Sequence, residues 1–165
     1  MAGLPGAFAQ GTFQFIATLN GQNEVPSNNS MLTGSGTFTL TGNSLDFLII
    51  IQPAFYPISA GIYGPAARGV NGPFIFDLGT PNIVAPYPGP PPDPGHVGYS
   101  GSFTLTPQQL SDLENGLWYV NVLTSAYPDG EIRGQIVLVP EPSTWALMVV
   151  ASGLIGYLNG KKRTG

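Results

Sequence analysis

Between residues 11 and 139, apolar side chains return at every second position, in short runs cut by Gly, Pro and Asn. That period puts alternate residues on opposite faces of a strand, so it constrains this chain to half-buried β-strands. Over residues 12–19, Phe13, Phe15, Ala17 and Leu19 share one face. Residues 37–41 alternate Phe38 and Leu40 with threonines. Residues 44–52 place Leu45, Phe47, Ile49 and Ile51 on one side and Asp46, Leu48 and Ile50 on the other. Residues 58–63, 74–78, 99–105, 117–124 and 131–139 complete eight predicted strands. Pro128-Asp129-Gly130 reads as the turn between the last two. Short strands with such turns imply an antiparallel sandwich or barrel.

One helix is predicted. Thr106-Pro107-Gln108-Gln109 offers an N-cap hydroxyl, a proline for the first helical position and a Gln to close a capping box. Leu110 and Leu113 supply an inward stripe, and Gly116 is placed to end it. Seven prolines in residues 81–95 predict a solvated, polyproline-like spacer rather than a strand. The segment 33–41 recurs faintly as 98–106. A duplicated unit and two strands with similar needs explain this equally well.

Composition narrows the function classes. The 165 residues include 23 Gly and 17 Pro, and 8% are charged. A helical bundle needs fewer helix breakers, and a disordered chain needs more charge and less apolar content. Without cysteine there is no disulfide or thiolate metal site. A pI of 4.6 argues against nucleic acid as a partner.

Charge divides the chain. Residues 1–144 hold all but one terminal cluster of the ionisable groups: Arg68 and Arg133 against all nine acids, a formal −7. Residues 145–165 hold Lys161, Lys162 and Arg163 and no acid, a formal +3. Between Pro140-Glu141-Pro142 and that cluster lies an uncharged segment, residues 145–158. As a helix it spans about 21 Å, short of a bilayer core of roughly 30 Å, which favours a buried helix on length alone. Flanking Trp145 and Tyr157 suit membrane interfaces, and the basic side chains can snorkel. The basic cluster directly after the apolar run is a stop-transfer pattern.

These three parts in order, over about 25 residues, resemble the PEP-CTERM sorting signal of Gram-negative bacteria. The resemblance implies export, a transient inner-membrane intermediate with exosortase as partner, and release to the envelope or extracellular space near exopolysaccharide after the tail is removed. Export needs a leader. Residues 1–10 have no basic or long apolar stretch, yet Ala7-Phe8-Ala9 fits the small-residue pattern before a signal-peptidase cut. We therefore expect 1–10 to be a signal-peptide remnant or disordered lead whose true start lies upstream. Residues 11–139 are expected to be the folded domain and 140–165 the sorting signal.

The body resembles the CHRD domain, the module named after chordin. The matching residues are 15–26, ending in Glu24-Val25-Pro26; Gly34, Gly36, Phe38 and Leu40; 60–66 with Asn71-Gly72-Pro73; 116–122, containing Asn121; and 130–136, containing Gly130, Glu131, Arg133 and Gly134. The resemblance implies an immunoglobulin-like or superoxide-dismutase-like β-sandwich. It also implies histidines at three places that here hold Gly61, Tyr63 and Leu123. No histidine metal site carries over, and His96 has no sequence partner. Glu131 and Arg133, two apart on a predicted strand, are expected to pair with neighbours and pin the last hairpin. Glu24 is expected to anchor a turn. No acid–base pair, nucleophile elbow or phosphate loop is visible, so no catalytic residue, metal ligand or cofactor is assigned.

Three functions follow as expectations. The first is a non-enzymatic structural or adhesive envelope module. The second is a carbohydrate-binding module using Tyr56, Tyr63, Tyr87, Tyr99, Tyr127 and Trp118, with Trp118 better suited to the core. The third, a metalloenzyme, is opposed by the missing histidines.

Overall fold

The computed structural model describes residues 11–53, 59–84 and 96–140. Ala7, Ala9, Tyr56, Tyr87, Glu141, Pro142, the apolar run 145–158 and the Lys161-Lys162-Arg163 cluster lie outside the described residues. The strands run β1 (Thr12–Asn20), β2 (Thr33–Thr41), β3 (Ser44–Gln52), β4 (Ser59–Tyr63), β5 (Phe74–Asp77), β6 (Asn82–Val84) and β7 (His96–Thr104). Helix α1 (Pro107–Glu114) follows, then β8 (Tyr119–Leu123), β9 (Ile132–Gln135) and β10 (Val137–Leu138).

The fold is antiparallel β with one short helix. Among the described residues the strands form one sheet, in the order β5-β4-β8-β9-β1-β2-β3-β7-β6, with β10 beside β1. It curls as a half-barrel around one core, to which Phe15, Phe38, Ile49, Ile62, Trp118, Val120 and Ile136 all contribute. The curl centres on the last two strands. β9 pairs along β8 and meets β1 only at Asn20↔Arg133. Ile136 then donates to the Trp118 carbonyl, and β10 crosses to pair with β1.

Local chemistry explains most boundaries. The predicted alternation of β1 to β3 appears as alternating buried and exposed residues. The capping box on α1 forms as predicted, with Thr106 accepting from the Gln109 N–H and Gln109 accepting from the Thr106 N–H. Leu110 and Leu113 are buried, and Gly116 ends the helix at φ 67°. The two similar segments become β2 and β7, on either side of β3.

Two readings are corrected. The proline-rich stretch was expected to stay out of the sheet, but Asn82–Val84 forms β6, an edge strand on β7. No proline falls between Pro81 and Pro86, so three consecutive N–H groups are free to join a ladder. The single strand expected over 131–139 is two strands, broken at Ile136 where the chain changes partner. Among the described residues no helix is long and apolar enough to cross a membrane.

Candidate functional site

β8 and β9 differ from β1 to β3 in being covered on both faces. Cross-strand partners share a face. Tyr63↔Tyr119↔Gln135 and Gly61↔Asn121↔Arg133 are therefore two rows on the side away from the core. Two loops cover this side. One runs from the 3-10 turn Gly21–Asn23 through Ser30, and the other spans residues 64–73.

Arg133 is the hub, 1% exposed. Its Nη1 donates to Asn71 Oδ1 at 2.9 Å and its Nη2 to the Val70 carbonyl at 2.7 Å. The guanidinium lies over the Tyr119 ring, 3.4 Å from its centroid. Asn71 passes the connection on by donating to the Val25 carbonyl. The Tyr119 hydroxyl accepts from the Gly72 N–H. Gln135 donates to the carbonyls of Ala66 and Gly116. One strand residue thus ties two loops to the sheet. Burial lowers the Arg133 pKa, opposed by the nearby Tyr119 and Glu24.

Glu24 approaches from the other side. Its N–H donates to the Gly21 carbonyl, closing the 3-10 turn Gly21–Asn23. Burial pushes its pKa from 4.5 to about 7, although Arg133 and the Val25 N–H pull it down. Gly130, at φ 140°, lets this happen: a Cβ there would stand 2.8 Å from Glu24 Oε2 and 2.9 Å from Asn121 Oδ1. Glu24 Oε1, Asn121 Oδ1 and Gln135 Oε1 are buried without a hydrogen-bond partner. Beside them opens a cleft of about 240 Å³ lined by Gln22, Asn23, Glu24, Val25, Arg68, Gly69, Arg133 and Gln135.

The sequence motifs meet unevenly. Glu24, Val25, Asn121, Gly130 and Arg133 converge here, while Pro26 is exposed. Gly134 serves packing instead, since a Cβ would meet the Thr18 carbonyl at 2.7 Å. Glu131 and Arg133 do not work as the surface pair expected of them. Both are buried, and Glu131 accepts from Ser30 and Thr124 while Arg133 serves the opposite loop. Their closeness in sequence hid this, because Asn71, Val70 and Ser30 lie 62 to 101 residues away, and only Thr124 is near. Arg68, Asn71, Tyr119 and Gln135 were not assigned roles. Polar residues alternating through Tyr119-Val-Asn121 and Arg133-Gly-Gln135 are the signal for a second, polar buried face.

The family model of the CHRD domain matches residues 15–136. The chain belongs to the CHRD-domain family. No curated protein and no solved structure matches it. The match in this CHRD domain begins within β1 and stops at Ile136, where the chain turns from β8 to β1. The three places at which the resemblance implied histidine sit on the same polar face. Gly61 packs under Phe74, where a Cβ would stand 2.7 Å from that ring and 3.0 Å from the Phe76 carbonyl. Tyr63 meets Phe74 edge-on at 5.4 Å and stacks on Tyr119 at 5.5 Å. In this CHRD domain aromatic rings fill that part of the face. Among the described residues no three His, Cys, Asp or Glu side chains gather as metal ligands. His96 opens β7 and pairs with Gln52, its Nε2 lying 2.9 Å from Oε1. Of the aromatics considered for sugar stacking, Trp118 and Tyr99 are in the core, and burial first raises Tyr99 to a pKa of about 12.

Proposed function

We propose that this chain is an exported envelope or extracellular-matrix protein whose CHRD domain acts as a non-enzymatic structural or adhesive module. The observation that carries this reading is the order of parts after the fold: Pro140-Glu141-Pro142, the uncharged run 145–158, then Lys161-Lys162-Arg163. Such a tail suits a transient inner-membrane stop, with exosortase acting at the Pro-Glu-Pro motif. The CHRD network supports a scaffold role, because its buried Arg133 is committed to Asn71 and the Val70 carbonyl. We also read the curled sheet as a form of the immunoglobulin-like or superoxide-dismutase-like sandwich, with its two halves as the layers.

Mass spectrometry of the envelope-bound or secreted form tests the reading by giving both termini. We expect a start near Gln10 and an end close to residues 140–142. A mature form that keeps its basic cluster, or unchanged surface retention after deletion of 145–163, would sink it. The second reading is a carbohydrate-binding module facing exopolysaccharide. The cleft beside Glu24 favours it, with its charged and amide lining.

A further inference from the structure

Glu24 Oε1 and Asn121 Oδ1 are both sealed from solvent, and neither has a hydrogen-bond donor among the described residues. The two side chains are neighbours. Glu24 Oε2 and Asn121 Oδ1 stand 2.8 Å and 2.9 Å from the point a Gly130 Cβ would occupy, so the carboxyl group and the amide oxygen close over the same glycine. Buried acceptors without donors are uncommon in folded proteins, because each has given up its bond to water. One proton on the carboxyl group turns one of the pair into a donor for the other. A trapped water would also serve both oxygens, but it would favour the ionised acid.

The surroundings decide between these. Arg133 of β9 draws Glu24 toward ionisation, with Tyr119 of β8 under its guanidinium. Tyr63 of β4 is close enough for Glu24 to raise its pKa, and Arg68 lines the cleft from the loop side. Glu131 is turned to Ser30 and Thr124, and Asp129 is exposed in its turn. Burial outweighs the pull of Arg133 and lifts the Glu24 pKa to about 7. Near neutral pH the acid therefore holds a proton much of the time, and the sealed Asn121 oxygen is beside it to accept.

We infer that Glu24 is a proton-operated latch: its neutral carboxyl donates to Asn121 Oδ1 and fastens the turn at residues 21–24 to β8, and ionisation releases it toward the arginines of the cleft. The rest of the loop is pinned separately, by Asn28 donating to the carbonyls of Gly130 and Glu131 and by Ser30 donating to the Glu131 carboxylate. The latch therefore moves the 3-10 turn and not the whole loop. Arg133 can receive the carboxylate, since its guanidinium has five N–H groups and makes two hydrogen bonds among the described residues. The same proton sets the charge of the cleft. With Glu24 neutral, Arg68 and Arg133 are uncompensated there, and with Glu24 ionised they face a carboxylate.

The latch is independent of export and of any ligand. Infrared difference spectra of the full chain in non-ionic detergent, taken between about pH 5 and 9, test it. We expect the C=O band of a protonated carboxylic acid to fade with a midpoint of about 7, and to be missing in Glu24→Gln. Asn121→Ala removes the acceptor and should lower the midpoint by about one pH unit, the tenfold change that a lost hydrogen bond brings. Asn121→Leu, which keeps the volume, should do the same. An amide turned the other way, with its NH2 donating to the carboxylate, would raise the midpoint instead. Hydrogen exchange reads the turn. The Glu24 and Asn28 amides both donate to the Gly21 carbonyl. Corrected for intrinsic rates, they should be about tenfold less protected at the alkaline end than at the acid end, and Glu24→Gln should erase the difference. A band that is absent across the range, or that persists in Glu24→Gln, overturns the latch. So does a midpoint that rises or stays fixed in the Asn121 variants, and so does turn protection that is equal at both ends.

Discussion

Glu24 stands where a turn, a strand end and the Arg133 guanidinium meet, and its protonation is linked to folding. Its folded pKa of about 7 exceeds the ordinary 4.5. The folded protein therefore holds a proton that the unfolded chain releases in that window. The stability due to this proton is complete below about pH 4.5 and is lost as pH rises through about 7. Allowing for partial solvent screening, the loss is on the order of 1–2 kcal/mol. Urea unfolding between about pH 5 and 8 should show stability falling with pH in the native chain. Glu24→Gln should flatten that slope, and an unchanged slope in the variant would show that another group sets it. At this scale the sequence exposed the cast but not the pairing. Glu24, Asn121, Gly130 and Arg133 stood out as motif residues, whereas Glu131, expected on the same strand as Arg133, lies just before β9. That Arg133 is buried was not legible, because the loop atoms that solvate it, Asn71 and the Val70 carbonyl, are more than 60 residues away.

Elements with a local cause were legible. The helix α1 carries its cap, its stripe and its stop within residues 106–116, and β3 carries its alternation within residues 44–52. Elements defined by what lies across from them were not. β6 owes its existence to the edge of β7, and the break at Ile136 reflects a change of partner that no local pattern records. The β4–β5 pair carries the next prediction. Phe74 occupies the space a side chain at position 61 would need. Gly61→Ala should cost about 1–3 kcal/mol by overpacking. In a Phe74→Ala background the same change should cost less by at least about 0.5 kcal/mol, a coupling that a double-mutant cycle reads directly. Equal costs in both backgrounds would mean that the Phe76 carbonyl, at 3.0 Å, is the sole obstruction. The same ring explains why a histidine cannot be restored at position 61 by one substitution.

At the scale of the whole molecule, the last strand of the described sheet and the Pro140-Glu141-Pro142 run, the proposed sorting motif, are adjacent in sequence. Val139 is held by its N–H donating to the Gln14 carbonyl at 2.8 Å, and Pro140 follows at once. β10 covers a stretch of β1 that β9 does not reach, pairing with Phe15 and Ile16. A cut at or after Pro140 spares every one of these bonds. A cut after Ile136 strips β10 away and leaves part of β1 as an open edge, with half-exposed Ile16 beside it. A chain ending at Val139 should therefore melt within about 2 °C of the full-length protein. One ending at Ile136 should melt about 5–10 °C lower, the shift expected for roughly 2 kcal/mol in a domain of this size. Equal midpoints for the two truncations would show that β10 adds nothing to the fold, and the placement of the motif would then owe nothing to the sheet. Unequal ones would mean that the proposed cut at residues 140–142 falls just beyond the last backbone bond among the described residues, where the tail can be removed and the cleft and its scaffold kept.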